Sequence, residues 1–200
     1  MNKKKIQSNI TQKLILEKAK ELFIQKGYAA TSVEEISAAT GHSKGNIFYH
    51  FKSKEGLFLK MLEDWDKEWD EQWNLKKGQF TSSADQLYEF VEHMVINEIN
   101  HPFITVADEF FTAEKTNSEV TKLLDQMLEQ RLELIQQLLI DGIHSGEFEI
   151  SDTLLAAKVL DSLFNGIGLM CKNLSIDQTL LLYKTSIDIF LNGISKKVNT

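Results

Sequence analysis

The sequence predicts an all-α protein of about nine helices, with an N-terminal three-helix DNA-binding domain ahead of a larger helical domain. Three observations support this prediction. One proline and ten glycines in 200 residues are too few turn residues for an all-β fold. Apolar side chains recur at helical spacing along most of the chain. Basic and acidic residues are concentrated in different parts of the sequence.

The charge is divided between two parts of the chain. Residues 1–60 contain eleven lysines and five acidic residues, a net charge of +6, whereas the remainder carries −13. The total of −7 would by itself argue against nucleic-acid binding. The division instead indicates a basic module that can meet phosphate groups, followed by an acidic module that cannot.

The N-terminal domain is expected to span residues 1–53, with residues 1–9 as a flexible basic arm. The first helix follows the arm and ends at Gly27, a residue that permits a left-handed C-terminal cap. The second helix begins at Thr31 or Ser32, since either hydroxyl has a glutamate three residues later, as a capping box requires.

The second helix, a turn at Gly41 and a short third helix form a helix-turn-helix, the geometry that places a recognition helix in the major groove. Ser43 begins the short helix, whose free backbone N–H groups attract phosphate. Gly45 costs helix stability, and close approach of the backbone to DNA would explain it. The other side chains in this segment can donate to phosphates or contact thymine methyls: Lys44, Asn46, Phe48, Tyr49 and His50. The alternative interpretation is an ordinary helical hairpin with surface lysines.

The C-terminal domain is expected to span residues 54–200 and to bind a small molecule and dimerise. Its last two helices should pack against their copies in a second subunit as a four-helix bundle, giving a homodimer. The expected helices are 54–76, 83–100, a segment restarting at Pro102, 118–144, 152–172 and 176–195. Ser53 is expected to cap the first of these helices, and Ser83 with Gln86 offers a capping box for the second.

A tryptophan stripe runs along the fourth helix. Trp65, Trp69 and Trp73 are four residues apart and therefore share one face, with Asp66 and Asp70 beside them. A ring face attracts a cation by about 0.5–2 kcal/mol, and an unpaired carboxylate adds to the attraction. The stripe therefore indicates a site for a cationic ligand, although such a stripe is also typical of a helix packed in a core.

The sequence offers no candidate for catalysis. It contains no glycine-rich phosphate loop, nucleophile elbow or cluster of histidine and cysteine ligands, so neither an enzyme nor a cofactor is expected. The spacing Glu98-x-x-His101 occurs in metal sites of helical bundles, but such a site needs a second copy, and only the poorer Asp141-x-x-His144 is present. No metal is therefore expected.

The chain shows none of the signals of export or membrane insertion. The N-terminal lysines are not followed by the apolar run of a signal peptide, and no stretch is long enough to span a bilayer. A single cysteine, Cys171, excludes an intrachain disulfide framework and suits a reducing cytosol, where it should be a buried thiol. We expect a soluble cytoplasmic protein, associated with the nucleoid and with no membrane partner.

The run TSVEEISAATGHSKGNIFYHFKSKEGL, from Thr31 to Leu57, closely resembles the signature of the TetR family of transcriptional regulators. Thr40 and His42 depart from the commonest pattern, in which alanine and a small aliphatic residue are usual; both affect packing at the turn. The resemblance implies that Thr31 and Ser32 help to hold a phosphate. It implies further DNA contacts by Ser43, Lys44, Gly45, Phe48, Tyr49, His50 and, on the backbone, Lys54.

The similarity extends into the C-terminal domain, toward a branch of the family that binds large lipophilic cations between aromatic rings. This resemblance implies ligand contacts by Asp66, Trp69, Glu98 and Asn165, whereas Trp65 stands where that branch has an acid. The full candidate ligand-binding set is Trp65, Asp66, Trp69, Glu98, Glu109, Phe110 and Asn165.

The implied function is that of a dimeric repressor that binds a pseudo-palindromic operator in double-stranded DNA. A lipophilic, cationic multidrug-type inducer would release it, and the regulated gene would be an efflux gene, its own gene or both. Two alternatives stay open: a related sensor of an acyl or other metabolite, and a DNA-binding regulator without a small-molecule effector.

Overall fold

The computed structural model describes residues 3–99 and 101–194, and this part of the chain forms nine α-helices and no β-strand. The predicted all-α class is therefore confirmed. A π-helical turn, Val95–Ile99, follows the fifth helix, and a 3₁₀ turn, Cys171–Asn173, follows the eighth. The helices are α1 (Lys3–Lys26), α2 (Val33–Thr40), α3 (Lys44–Phe51), α4 (Lys54–Lys77), α5 (Ser83–Met94), α6 (Pro102–Ala113), α7 (Ser118–His144), α8 (Thr153–Met170) and α9 (Ile176–Ile194).

The first helix is longer than predicted. It begins at Lys3, so residues 3–9 are helical where a flexible arm was expected, and the first two residues of that arm lie outside the described part. Residues 3–9 contain neither glycine nor proline, and lysine, glutamine and isoleucine tolerate a helix well. The helix ends at Gly27, which has a φ of +88° as a left-handed cap requires.

Serine caps begin the next helices as predicted. Ser32 forms a capping box with Glu35, each side chain accepting from the other residue's backbone N–H. The Lys26 ammonium, with help from Ser32, lowers the pKa of Glu35 to about 2, so the carboxylate of the box is ionised. Ser43 accepts from the N–H of Asn46 at 3.2 Å at the start of α3.

Two caps complete this pattern. At the start of α4, Ser53 accepts from the N–H of Gly56 at 3.0 Å, as the sequence predicts. At α5 the cap lies one residue earlier than expected, because Ser82 rather than Ser83 accepts from the N–H of Asp85, at 3.0 Å. For these four helices, local patterns thus predicted the first residue to within one position.

The chain divides into two compact units, whose boundary lies within α4 and α7. The first unit contains residues 1–68 and 102–123, and the second contains residues 69–101 and 124–200. The first unit thus combines α1–α3 with α6 and with the first parts of α4 and α7. α4 and α6 complete the core around α1–α3: Phe58, Phe103 and Phe110 are fully buried in it.

The second unit has its own apolar core. Its buried side chains come from α4, α5, α7, α8 and α9, and they include Trp73, Phe90 and Ile187. Tyr183 donates its hydroxyl to the carbonyl of Phe164 at 2.9 Å, which ties α9 to α8. Cys171 is a buried free thiol, as predicted.

α8 leaves an apolar face uncovered within the second unit. The exposed fractions of Leu155 and Val159 are 60% and 48%. These residues line a shallow groove together with Lys158, Ser162 and Leu163. In length and composition α8 is the one described helix that could cross a membrane, and 17% of it is buried. An exposed apolar face of this kind indicates an interaction site for another protein or for a membrane.

Candidate DNA-binding and ligand-binding sites

The first unit builds a helix-turn-helix from α2 and α3. The turn between them contains Gly41, whose φ of +69° favours glycine. Ile36 in α2 and Ile47 and Phe51 in α3 are buried in the core of the unit. This packing fixes α3 by one face and leaves its other face exposed.

The exposed face of α3 carries the predicted DNA-contacting side chains. Tyr49 is 81% exposed and Phe48 is 43% exposed, which is unusual for aromatic side chains in a monomeric surface. Lys44 is exposed at the start of the helix and forms a salt bridge with Glu34 of α2. The face therefore offers a cation and two aromatic rings next to the helix N-terminus.

The described part of the chain leaves room for a side chain at Gly45. A Cβ atom built there would have Ser43 Oγ as its nearest contact at 3.9 Å, an ordinary van der Waals distance. By contrast, a Cβ atom at Gly142 would lie 2.0 Å from the Phe148 ring. The fold thus explains the second glycine and not the first, which agrees with close approach of α3 to an external surface.

Two further residues of α3 border the exposed face. His50 is half-buried, and its Nδ1 accepts from the Gln12 side-chain amide at 3.2 Å, which connects α3 to α1. Asn46 is also half-buried, and its Oδ1 is buried without a hydrogen-bond partner among the described residues. Both side chains are thus less accessible than Phe48 and Tyr49.

Three residues predicted to contact phosphate or DNA backbone are engaged inside the unit. Thr31 is 1% exposed and donates its hydroxyl to the carbonyl of Gly27 at 2.8 Å. The Lys54 ammonium donates to the carbonyls of Tyr28 and Thr31 at 3.0 and 3.2 Å. The Ser32 hydroxyl belongs to the capping box. The structure therefore does not place Thr31 and Lys54 on the exposed face with α3, because both hold the turn between α1 and α2.

Glu109 supports the same turn from α6. Its carboxylate in α6 accepts from the N–H of Tyr28 at 2.9 Å and from the N–H of Ala29 at 2.8 Å. A Cβ atom at Gly27 would lie 2.7 Å from Glu109 Oε2, so a larger residue there would displace this carboxylate. Both carboxylate oxygens thus accept from the backbone of the turn between α1 and α2, and the ligand contact expected of Glu109 stays a prediction.

Phe110 is likewise a core residue. It is fully buried, and its ring packs edge-on against Tyr28 at a centroid distance of 4.8 Å and, at an angle of 31°, against Phe58 at 4.5 Å. The ligand contact expected of Phe110 stays a prediction. Its helical spacing on α6 is typical of a core position, which is the simpler interpretation of an apolar residue at that spacing.

Trp65 and Asp66 lie on the part of α4 that belongs to the first unit. The Trp65 ring is half-buried and packs against Phe103 at a centroid distance of 5.2 Å. The ammonium of Lys20, on α1, lies 4.3 Å from the centre of the Trp65 ring. Asp66 is half-buried. A cation from the chain itself thus lies over the Trp65 ring, while the predicted binding of a cationic ligand to the stripe stays a prediction.

Trp69 and Trp73 continue the stripe into the second unit. Trp73 is 1% exposed, as the core interpretation requires, whereas Trp69 is half-buried. The Trp69 ring lies 4.8 Å from the imidazole of His93 and 5.8 Å from the ring of Phe90. Trp69 therefore combines an aromatic surface with partial accessibility, and Trp73 does not.

His93 is a polar residue of this cluster that the sequence analysis missed. It is fully buried, and its Nδ1 and its carbonyl both lie 2.8 Å from the side-chain nitrogen of Asn97. Because an amide nitrogen can only donate, His93 Nδ1 acts as the acceptor, and Nε2 therefore carries the proton of the neutral ring. Burial, reinforced by the Lys76 charge, lowers the pKa of His93. In the sequence, helical spacing places His93 on the apolar face of its helix. This spacing indicates that the residue is buried, but it does not indicate a functional role.

Glu98 and Asn165 also belong to the second unit. Glu98 is half-buried in the π-helical turn. Asn165 is exposed on α8, where it accepts from Arg131 at 3.1 Å and donates to Asp161 at 3.0 Å. Arg131 also pairs with Asp161 at 2.8 Å. Asn165 thus takes part in a polar link between α7 and α8.

The candidate ligand residues are therefore divided between the units. Trp65, Asp66, Glu109 and Phe110 lie in the first unit, and Trp69, Glu98 and Asn165 lie in the second. Within the described ranges, no group of three or more histidine, cysteine, aspartate or glutamate side chains is arranged to share a metal ion.

Comparison with protein families gives two matches that together span most of the chain. Residues 15–61 match the family of bacterial regulatory proteins called the tetR family. Residues 65–196 match the family described as QacR-like protein, C-terminal region.

The chain is also similar to individual proteins over nearly its full length. It is 31% identical to the HTH-type transcriptional regulator QacR of Staphylococcus aureus, over 91% of this chain and 97% of that protein. Among solved structures, a transcriptional regulator from Saccharomonospora viridis in complex with choline has a TM-score of 0.76 at 20% identity, covering 94% and 100% of the two chains. FadR from Bacillus subtilis in complex with stearoyl-CoA has a TM-score of 0.75 at 19% identity, covering 90% and 98%.

Proposed function

The chain belongs to the TetR family of bacterial transcriptional regulators, with a QacR-like C-terminal region, and we propose that it is a ligand-responsive repressor. It binds operator DNA through α2 and α3 and acts without catalysing a reaction. The observation that carries this proposal is the exposed face of α3, with Lys44, Phe48 and Tyr49 around a glycine that the fold itself does not require.

Operator binding follows from the chemistry of that face. The N-terminus of α3 and Lys44 attract phosphate, and Gly45 lets the backbone approach the DNA closely. Phe48 packs against thymine methyl groups, while Tyr49 and His50 donate to phosphates. Thr31, Ser32 and Lys54 contribute by holding α2 at its angle to α1, as their internal hydrogen bonds indicate.

We further propose a homodimer formed through α8 and α9. The apolar residues of α8 left uncovered in one chain, among them Leu155 and Val159, support this role. A four-helix bundle made from two copies covers them, which also accounts for a helix of membrane-like composition in a DNA-binding protein. A dimer presents two recognition helices to the half-sites of a pseudo-palindromic operator, about one DNA turn apart. The site of action is the nucleoid.

The inducer in this proposal is a lipophilic, cationic compound, and the regulated gene encodes an efflux protein. Half-buried rings at Trp65 and Trp69 and the half-buried carboxylates of Asp66 and Glu98 support a cationic ligand. Similarity to QacR supports the same class. An acyl ligand is the main alternative, since FadR, a structural relative, was solved with stearoyl-CoA.

The test uses a labelled duplex from the region upstream of the protein's own gene and fluorescence anisotropy. We expect tight binding that weakens steeply with salt, and a loss of at least about thirtyfold in the double variant Lys44→Ala/Tyr49→Ala, at about 1–3 kcal/mol for each of the two contacts. Lys122→Ala, an exposed lysine on α7, is the matched control and should bind as the wild type does. Equal binding by the double variant would contradict the role of α3.

The same assay distinguishes the inducer classes. Rhodamine-type dyes and quaternary ammonium compounds should release the protein from the duplex at micromolar to millimolar concentration. Release by acyl chains alone would favour the metabolite sensor. Resistance to every compound would favour a regulator without an effector.

A further inference from the structure

Lys20 holds its ammonium group against two aromatic rings of the first unit. Its Nζ lies 4.3 Å from the centre of the Trp65 ring and 5.0 Å from the centre of the Phe103 ring. The two rings are 5.2 Å apart, at an angle of 38° to each other. α1, α4 and α6 thus each contribute one side chain to this cluster.

The ammonium group has no salt bridge among the described residues. Lys20 is half-buried, and this burial lowers its pKa, with the charge of Glu68 acting in the opposite direction. A lysine in this position gives up part of its hydration without forming a salt bridge. The faces of the aromatic rings compensate this loss through their negative electrostatic potential, together with the charge of Glu68.

We propose that Trp65 and Phe103 form a cation-binding site that Lys20 occupies in the ligand-free chain, and that a lipophilic quaternary ammonium ion takes the site by displacing Lys20. This inference rests on the proposed release by a lipophilic cation and specifies where such a cation binds. In the ligand-free chain the ammonium group of Lys20 thus takes the place of the cationic ligand.

The exchange is favourable for a physical reason. A quaternary ammonium ion has no N–H group and is weakly hydrated, so it loses little on entering an aromatic site. A primary ammonium is strongly hydrated, and its flexible four-carbon stem lets Lys20 return the charge to water while the stem stays packed. The ring pair therefore prefers the ligand to the lysine once the ligand is present.

The position of Lys20 connects this site to the DNA-binding face. Lys20 lies on α1, which packs against α2 and α6. The same helix contacts α3 through the hydrogen bond between Gln12 and His50. Displacement of Lys20 thus alters the environment of the helix that supports the recognition helix, and a ligand that favours one arrangement shifts the population toward it.

The experiment measures binding of phenyltrimethylammonium and of its neutral isostere, tert-butylbenzene, to the full-length protein by titration followed with NMR. The variants are Lys20→Met, which removes the charge at similar volume, Lys20→Arg, which keeps a cation over the rings, and Trp65→Leu, which removes the larger ring. We expect Lys20→Met to bind the cation about two- to thirtyfold more tightly than the wild type. Lys20→Arg should stay near the wild-type affinity, Trp65→Leu should lose the preference for the cation, and the isostere should change little.

A second measurement uses the wild-type protein alone and follows the proton resonances of Lys20 by NMR. The ε-methylene protons of Lys20 should resonate upfield in the free wild-type protein because they lie over the Trp65 ring, and phenyltrimethylammonium should return them toward ordinary values. Unshifted protons in the free protein would overturn the proposal. Unchanged cation affinity in Lys20→Met, equal tightening of both probes, or no binding of the cation to any form would overturn it too. DNA binding is measured separately, so operator binding that responds to other ligands would leave the proposed function standing when this inference fails.

Discussion

Glu109 shows how one side chain can support the DNA-binding module. Both of its oxygens accept backbone N–H groups, from Tyr28 and Ala29. Replacement by glutamine puts an amide nitrogen opposite one of these donors, which leaves that donor unsatisfied. We expect Glu109→Gln to lower the free energy of unfolding by about 1–3 kcal/mol, measured by urea denaturation. Asp108→Asn, an exposed neighbour on α6, is the matched control and should stay within about 0.5 kcal/mol of the wild type.

His93 predicts a dependence of stability on pH. Because burial lowers its pKa below the ordinary value of 6.5, the unfolded chain binds a proton more readily than the folded chain as the pH falls through that value. The free energy of unfolding should therefore decrease between pH 7.5 and 5.5. His93→Gln should show a smaller decrease, and the exposed His144→Gln should behave as the wild type does. An identical slope in His93→Gln would exclude His93 as the group responsible.

Residues whose roles are local could be predicted, and those whose roles depend on distant partners could not. The caps at Ser32 and Ser43 and the left-handed Gly27 depend on a few neighbouring residues, and all three were expected from the sequence. The Glu109 carboxylate meets a backbone about 80 residues earlier in the chain. No spacing pattern predicts a contact between residues so far apart. The sequence therefore does not distinguish this structural role of Glu109 from the predicted ligand contact.

At the scale of elements, α3 separates stability from DNA binding. The fold leaves room for a Cβ atom at Gly45, and alanine favours a helix over glycine by about 0.8–1.0 kcal/mol. We expect Gly45→Ala to keep or raise the free energy of unfolding while it lowers operator affinity at least about tenfold, the equivalent of one lost contact. Thermal melting and anisotropy measure the two effects. Gly142→Ala, where the added atom meets Phe148, should instead lower stability.

Element type was easier to predict than element grouping. Helical periodicity identified the helices, and their ends moved by only a few residues, apart from the extension of α1 to Lys3. The sequence did not predict that α6 packs with α1 and the first half of α4 in one compact unit. The sequence of an amphipathic helix shows which of its faces is buried, but it does not show which core that face packs against.

At the scale of the whole molecule, the uncovered apolar face of α8 predicts the oligomeric state. We expect sedimentation at micromolar concentration to give a dimer, and the double variant Leu155→Lys/Val159→Glu to give a folded monomer, since charges would lie where apolar side chains are covered. Leu75→Lys, on α4 and 77% exposed, is the matched control and should remain dimeric.

The oligomeric state has a direct consequence for operator binding. In a dimer, binding of one recognition helix holds the other near its half-site, and this effective concentration raises affinity by about a hundredfold or more. The monomeric variant should therefore lose at least about that factor on the full operator, while its affinity for an isolated half-site stays that of one wild-type recognition helix. Measuring both duplexes separates loss of the partner from damage to α3. A monomeric wild type, or a monomeric variant with full operator affinity, would contradict the proposed two-helix mechanism of recognition.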